Sequence, residues 1–229
     1  MIQTDKVVVS IGGSILIPGN NDSEYIAKLA DMLKTACNDA QIAIVVGGGK
    51  TARYYAETGR ALGGDDYQLD ILGIGATRLN AQLLSLALGD MPDKVSEDPE
   101  DLASKSAPGK IVVMGGTVPG HTTDAVAAMV AKAMKADRIV NATSVDAVYT
   151  DDPRKNPDAK KILKMTIDEL GELVYKEHGA SKSSVFDPLG VKLAKENKMD
   201  ILIVDGRNID ELRNAILGKP INGTTVDSH

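Results

Sequence analysis

Four short glycine turns each follow an apolar run in this chain: Gly12-Gly13-Ser14, Gly47-Gly48-Gly49-Lys50, Gly115-Gly116-Thr117 and Asp205-Gly206-Arg207. Backbone N–H groups with no Cβ in front of them, at the start of a following helix, present fixed positive ends to an anion such as phosphate. Lys50 and Arg53 stand just inside the helix after the second turn, one as a point charge and the other as a bidentate partner for phosphate oxygens. The third turn runs on through Val118, Pro119, Gly120, His121, Thr122, Thr123 and Asp124 into an alanine-rich helix. Thr122 and Thr123 there set hydroxyls beside free amides, which suits a phosphate or a base edge that needs both donors and acceptors. Thr123 or Asp124 also reads as the cap of that helix. One glycine turn alone is as readily a chain reversal; several opening at one edge of a parallel sheet make an anion site.

A later stretch, 141–153, follows a strand and carries Thr143, Tyr149 and Asp152. The tyrosine ring and neighbouring backbone suit the covering of an adenine, with Asp152 accepting from a ribose hydroxyl; the alternative is an ordinary polar loop. Neither GxxxxGK[ST] nor GxGxxG follows the first strand, which disfavours a P-loop NTPase and a dinucleotide-binding dehydrogenase. Gly73-Ile74-Gly75 lies inside a helical pattern and reads as a close-packed helix face. His121 is placed to shape its turn or meet a phosphate rather than to move a proton, and His178 and His229 show no ligand spacing. Asp187 before Pro188 reads first as a helix cap, and second as a group that orients a lysine or a metal.

Those turns need a scaffold. Apolar β-branched runs at 6–11, 42–46, 111–114, 139–142 and 201–204 are continuous rather than alternating, the pattern of parallel strands covered on both faces. Helical periodicity fills the intervals. Asn21 with Glu24, Thr166 with Glu169 and Asn208 with Glu211 mark helix starts, and Gly218 with Pro220 marks a stop. The fold class expected is therefore α/β, a three-layer α/β/α sandwich with a mainly parallel central sheet. Residues 90–109, charged and broken by Pro92, Pro99 and Pro108, read as surface connection with a short helix. One domain over 1–229 is expected, with lobes 1–137 and 138–229 meeting where a helix ends near Asp137.

With 43% hydrophobic and 25% charged residues the chain should fold as an ordinary globular protein. A net charge of -6 argues against a nucleic-acid partner. Aromatic residues at 3% leave no stacking platform, so any base is held by hydrogen bonds. The N-terminal apolar run is too short for a signal peptide or a membrane span, and the expected location is cytoplasmic. Cys37, the single cysteine, falls on an apolar helix face and reads as a core thiol.

Taken together, GGGKxAR, DxxGIxxTR from Asp70 to Arg78, GGTxPGHTTDA and TSVDxVYTxDP resemble the amino acid kinase superfamily, and within it the archaeal-type uridylate kinases. The similarity runs over nearly the whole chain, from Ile11 to Val226. The resemblance implies transfer of a phosphoryl group from ATP to UMP for UDP biosynthesis, Mg²⁺ carried by the ATP phosphates, and a homohexamer. It gives Gly48, Asp70, Thr117, Val118, Pro119, Gly120, His121, Thr122 and Thr123 to UMP. It gives Ser10, Ile11, Gly12, Gly13, Ser14, Gly49, Arg53, Thr143, Tyr149 and Asp152 to ATP. Many relatives carry lysine where this chain has Ser10, and often glycine where it has Ala147. The charge of the missing lysine then has to come from Lys50 or Lys182, with Asp187 as a possible orienting group. Alternatives are phosphorylation of carbamate or isopentenyl phosphate, or a catalytically silent anion-binding or storage protein.

Overall fold

The computed structural model describes residues 4–20, 22–151, 153, 155–180 and 185–228. Asn21, Asp152, Lys182, His229 and the side chain of His178 lie outside the described residues. In chain order the elements are β1 (Asp5–Ile11), α1 (Gly13–Leu16), α2 (Asp22–Ala36), β2 (Ala40–Val46), α3 (Gly49–Ala61), α4 (Asp66–Leu88), α5 (Pro99–Lys105), β3 (Ile111–Met114) and α6 (Thr123–Met134). They continue as β4 (Arg138–Thr143), β5 (Val148–Tyr149), β6 (Lys161–Ile162), β7 (Lys164–Thr166), α7 (Ile167–Ala180), α8 (Pro188–Glu196), β8 (Asp200–Asp205), α9 (Ile209–Ile216) and β9 (Thr224–Asp227).

Seven strands make one sheet in the order β3-β2-β1-β4-β8-β9-β7, parallel throughout except between β8 and β9. The five apolar runs of the sequence are β1, β2, β3, β4 and β8. Their continuous apolar character follows from two covered faces. Val7, Val9 and Ile11 of β1 join the core under α2, α4 and α9, whereas Val8 joins the core under α5, α6, α7 and α8. These are the three layers expected. The sequence reading passed over β5, β6, β7 and β9, which have four residues or fewer and no unbroken apolar run. The sheet is continuous across residue 137: β3, β2 and β1 come before it, β4, β8, β9 and β7 after it.

Helix signals in the sequence act as caps. Thr166 N–H donates to Glu169 Oε2 at 2.7 Å and Glu169 N–H to Thr166 Oγ1 at 3.2 Å, a reciprocal capping box. Asn208 Oδ1 takes the Glu211 amide at 3.2 Å. Asp65 and Gln68 form a second capping box at the start of α4, whose 23 residues run about 35 Å along one core. α4 is the one helix among the described residues with the length and apolar character to cross a membrane. Its polar side chains, however, are engaged with loops of the protein itself, as the site shows.

Candidate active site

β1, β2, β3 and β4 run parallel and end at one edge, so the turns that follow them meet. Gly12 N–H donates to the Ala142 carbonyl at 3.0 Å and Gly47 N–H to the Ile11 carbonyl at 2.9 Å, tying the first turn to its neighbours on both sides. The first two turns touch backbone to backbone. A Cβ on Gly13 would sit 2.2 Å from the Gly49 nitrogen, and one on Gly49, already at φ +59, would sit 2.4 Å from the Gly13 carbonyl carbon. Only glycine allows this approach, which sets the two turns directly against each other.

Ser10, 2% exposed at the end of β1, donates its hydroxyl hydrogen to Asp124 Oδ1 at 2.8 Å. Burial pushes the Asp124 carboxyl up to about 6; the Ser10 hydrogen bond works against that rise and the charge of Asp187 adds to it. The position that many relatives give to lysine thus holds a donor committed to an aspartate. Asp187 itself caps α8, its Oδ1 accepting from the amides of Leu189 at 2.8 Å and Gly190 at 3.1 Å. Lys50, exposed in the first turn of α3, donates from Nζ to the Pro18 carbonyl, so its ammonium lies at the loop between α1 and α2.

Next to these turns a cleft of about 500 Å³ opens between α3, the first half of α4 and the loop before α6. Asp70, Val118, Pro119, Gly120, His121, Thr122 and Thr123 line it, and so does Arg53, which the resemblance gave to ATP. Gly48 and Thr117 stand behind the lining: the Gly48 carbonyl accepts from Asn80 Nδ2 at 3.3 Å, and Thr117 Oγ1 lies 3.1 Å from His121 Nδ1. Asp70 Oδ2 accepts from Gly120 N–H at 2.9 Å, and Thr122 caps α6 by taking the Ala125 amide at 3.2 Å. The cap of α6 is therefore Thr122, one residue before the two candidates that the sequence suggested. Gly73 and Gly75 also differ from expectation, since a Cβ on either meets nothing within 4 Å. Gly73 borders the cleft, so its missing side chain leaves room for a ligand rather than for a neighbouring helix.

On the far side of the first turn, Thr143 ends β4 and its carbonyl accepts from Gly206 N–H at 2.8 Å. Tyr149 donates its hydroxyl hydrogen to Asp146 Oδ1 at 3.0 Å, and Lys161 Nζ meets the other oxygen of Asp146 at 2.8 Å. Burial and the Asp146 bond raise the Tyr149 phenol, while the Lys161 ammonium keeps Asp146 below the usual carboxylate range. Arg207 grips Asp205 with two nitrogens at 2.8 Å each and reaches the Ser144 carbonyl at 3.1 Å, fixing the turn after β8 to the loop after β4. The tyrosine and both loops are thus anchored beside the glycine turns.

Sequence reasoning missed the roles of Thr77, Arg78, Asn80 and Asp124. Asn80 Nδ2 also takes the Gly47 carbonyl at 2.8 Å, and Thr77 Oγ1 accepts from Gly116 N–H at 2.6 Å. A usable signal existed: Thr77 and Asn80 follow Asp70 by seven and ten residues, about two and three turns along one side of a helix that is otherwise apolar.

The sequence model described as the amino acid kinase family matches residues 5–205. A uridylate kinase of Pyrococcus abyssi is 44% identical over 225 residues, 97% of this chain and 99% of that protein. A uridylate kinase of Methanocaldococcus jannaschii is 44% identical over 226 residues, again 97% and 99%. The crystal structure of uridylate kinase from Archaeoglobus fulgidus superposes with a TM-score of 0.85 at 38% identity, over 96% of this chain and 99% of that one. A UMP kinase structure from Bacillus anthracis, at 20% identity and a TM-score of 0.79 over 98% and 96%, shares the fold.

Proposed function

We propose that this chain, which belongs to the amino acid kinase family, transfers the γ-phosphoryl group of ATP to the 5′-phosphate of UMP, giving ADP and UDP. The observation that carries the reading is the backbone junction of Gly13 and Gly49 beside a separate cleft lined by Asp70 and residues 118–123. Phosphate-to-phosphate transfer requires two neighbouring nucleotide sites, and relatives matched over nearly their whole length are uridylate kinases.

In this reading UMP fills the cleft. Asp70 accepts from ribose hydroxyls, Thr122 and Thr123 meet base or phosphate, and Arg53 faces the UMP phosphate at the border of the two sites. ATP lies over Gly12, Gly13 and Gly49, with its adenine toward Thr143, Tyr149 and Asp152. The UMP cleft belongs to lobe 1–137, and ATP reaches from the glycine turns of that lobe onto lobe 138–229. A UMP phosphate oxygen is already ionised at neutral pH and attacks the γ-phosphorus as the bond to the ADP oxygen breaks, so no general base is needed. Catalysis is positioning and neutralisation of charge on the transferring group. The amides of Gly12, Gly13 and Gly49 supply part of that neutralisation, and Lys50 or Lys182 supplies the rest. Among the described residues no three His, Cys, Asp or Glu side chains converge on one point. Mg²⁺ carried by the ATP phosphates would supply further neutralisation of charge, and Asp124, bonded to Ser10 beside the first glycine turn, is the carboxylate that would face it.

The enzyme works in the cytoplasm as a homohexamer. An exposed apolar face on α3 and α4, with Tyr54, Tyr55, Ile71, Leu79 and Leu86 in solvent, supports association of subunits. A coupled assay of ADP release with UMP, CMP, dUMP, carbamate and isopentenyl phosphate tests the function. ADP formation that depends on UMP and Mg²⁺ is expected, and turnover of another acceptor in preference to UMP, or none at all, overturns it. In the same assay Lys50→Ala or Lys182→Ala should slow a single turnover by about tenfold or more. If both stay within about threefold of wild type, the lysines do not carry the missing charge.

A further inference from the structure

Arg78 has no role in the function described so far, yet its guanidinium is fully committed. Nε donates to the Gly116 carbonyl at 3.1 Å, Nη2 donates to the Thr117 carbonyl at 2.8 Å, and Nη1 pairs with Glu97 Oε2 at 3.0 Å. Glu97 is held in turn by Lys94 at 2.8 Å, and its neighbour Ser96 bridges to Met114 at the end of β3. Thr77 takes the remaining Gly116 group, its N–H, at 2.6 Å. α4 therefore grips the start of the acceptor loop through adjacent residues.

The consequence lies on the other side of that loop. In a trans peptide the N–H points opposite to the C=O, and no cis peptide occurs among the described residues. With the carbonyls of Gly116 and Thr117 both turned toward Arg78, the N–H groups in the same two peptides, those of Thr117 and Val118, turn away from it. Neither has an acceptor among the described residues. Arg78 lies outside the lining of the cleft and Thr117 stands just behind it, whereas Gly116 and Val118, on either side of Thr117, belong to the lining. Two neighbouring free amides facing the same way form a small nest for a carbonyl or phosphate oxygen.

We propose that Arg78 is a positioning residue for the acceptor nucleotide: its fork on two successive carbonyls aims the Thr117 and Val118 amides at an oxygen of that nucleotide. The proposal rests on the reading that UMP occupies this cleft. A guanidinium suits the task because its planar, fixed donors span two carbonyls at once, which a single ammonium does not.

The test compares Arg78→Ala and Arg78→Lys with wild type for the KM of each substrate. Arg78→Ala should raise the KM for UMP by about tenfold or more while the KM for ATP stays within about threefold, and added methylguanidinium should restore part of the loss. Arg78→Lys keeps the charge beside Glu97 and should fold even where the alanine variant does not, with an intermediate KM for UMP. Equal changes in both KM values, or no change in either, overturn the proposal. Amide hydrogen exchange provides a reading independent of turnover. In Arg78→Lys, exchange over 115–123 should quicken while 47–50 holds at the wild-type rate; unchanged exchange over 115–123 overturns the positioning role. Should wild type fail to phosphorylate UMP, the functional reading falls, and the exchange comparison still decides the role of Arg78.

Discussion

Asp124 concentrates the electrostatics of the site at one residue. Its carboxyl is raised to about 6 from an ordinary value of 3.8, chiefly by burial, and Ser10 offsets part of that rise. A carboxylate with a raised folded pKa makes the folded state the better proton binder between those two values. Its effect on stability is therefore most favourable below about pH 4, declines as pH rises toward about 6, and is level beyond that. Asp124→Asn removes the group, so the difference in melting temperature, variant minus wild type, should grow from pH 4 to 6 and then flatten. A difference curve with no slope across that window would refute the raised pKa. The same residue shows why a motif can hide chemistry: an acidic residue at a helix start looks like a cap, and only the approach of Ser10 from β1, at 2.8 Å, distinguishes it.

At the level of the element, α4 is both the most apolar long helix and the one whose polar residues hold the site together. Asn80 holds the second glycine turn, Thr77 and Arg78 the third, and Asp70 the Gly120 amide. Each of these loops would otherwise leave backbone groups without partners beside the core. Thr77→Val keeps the shape and removes the acceptor for Gly116 N–H, which is buried where it bonds. It should cost about 1–3 kcal/mol in urea denaturation, with Thr77→Ser near wild type. Equal stability of the valine variant and wild type would mean that the loop does not depend on α4. β7 and β9 make the complementary point: with four residues or fewer, each is a strand because its neighbours supply a ladder, and neither would be one alone.

For the whole molecule, the parallel order of β3, β2, β1 and β4 gathers at one edge turns that are up to about 130 residues apart in the chain. The opposite outcome of the same packing is the outer face of α3 and α4, where Leu79 and Leu86 stay 61% and 59% exposed. An exposed apolar patch of this kind is where the proposed hexamer would be joined. Leu79→Glu combined with Leu86→Glu should reduce the mass measured by light scattering from a hexamer to a smaller species. A wild type that runs as a monomer would remove the hexamer from the proposal.

The order of residues alone determined the five strands built on apolar runs, the three-layer class, the helix starts at Thr166, Asp187 and Asn208 and the glycine turns, because these depend on local hydrophobic period, dihedral freedom and capping. The clustering of Asp70 with residues 118–123 was legible as a motif resemblance. The tertiary structure alone decided that Gly13 and Gly49 meet backbone to backbone, that Arg53 lines the same cleft as Asp70, that Gly73 borders open space, and that Thr77, Arg78 and Asn80 hold the loops. Those facts are distances between segments remote in the chain, and a distance of that kind is set by how layers pack, which no local pattern of residue types encodes.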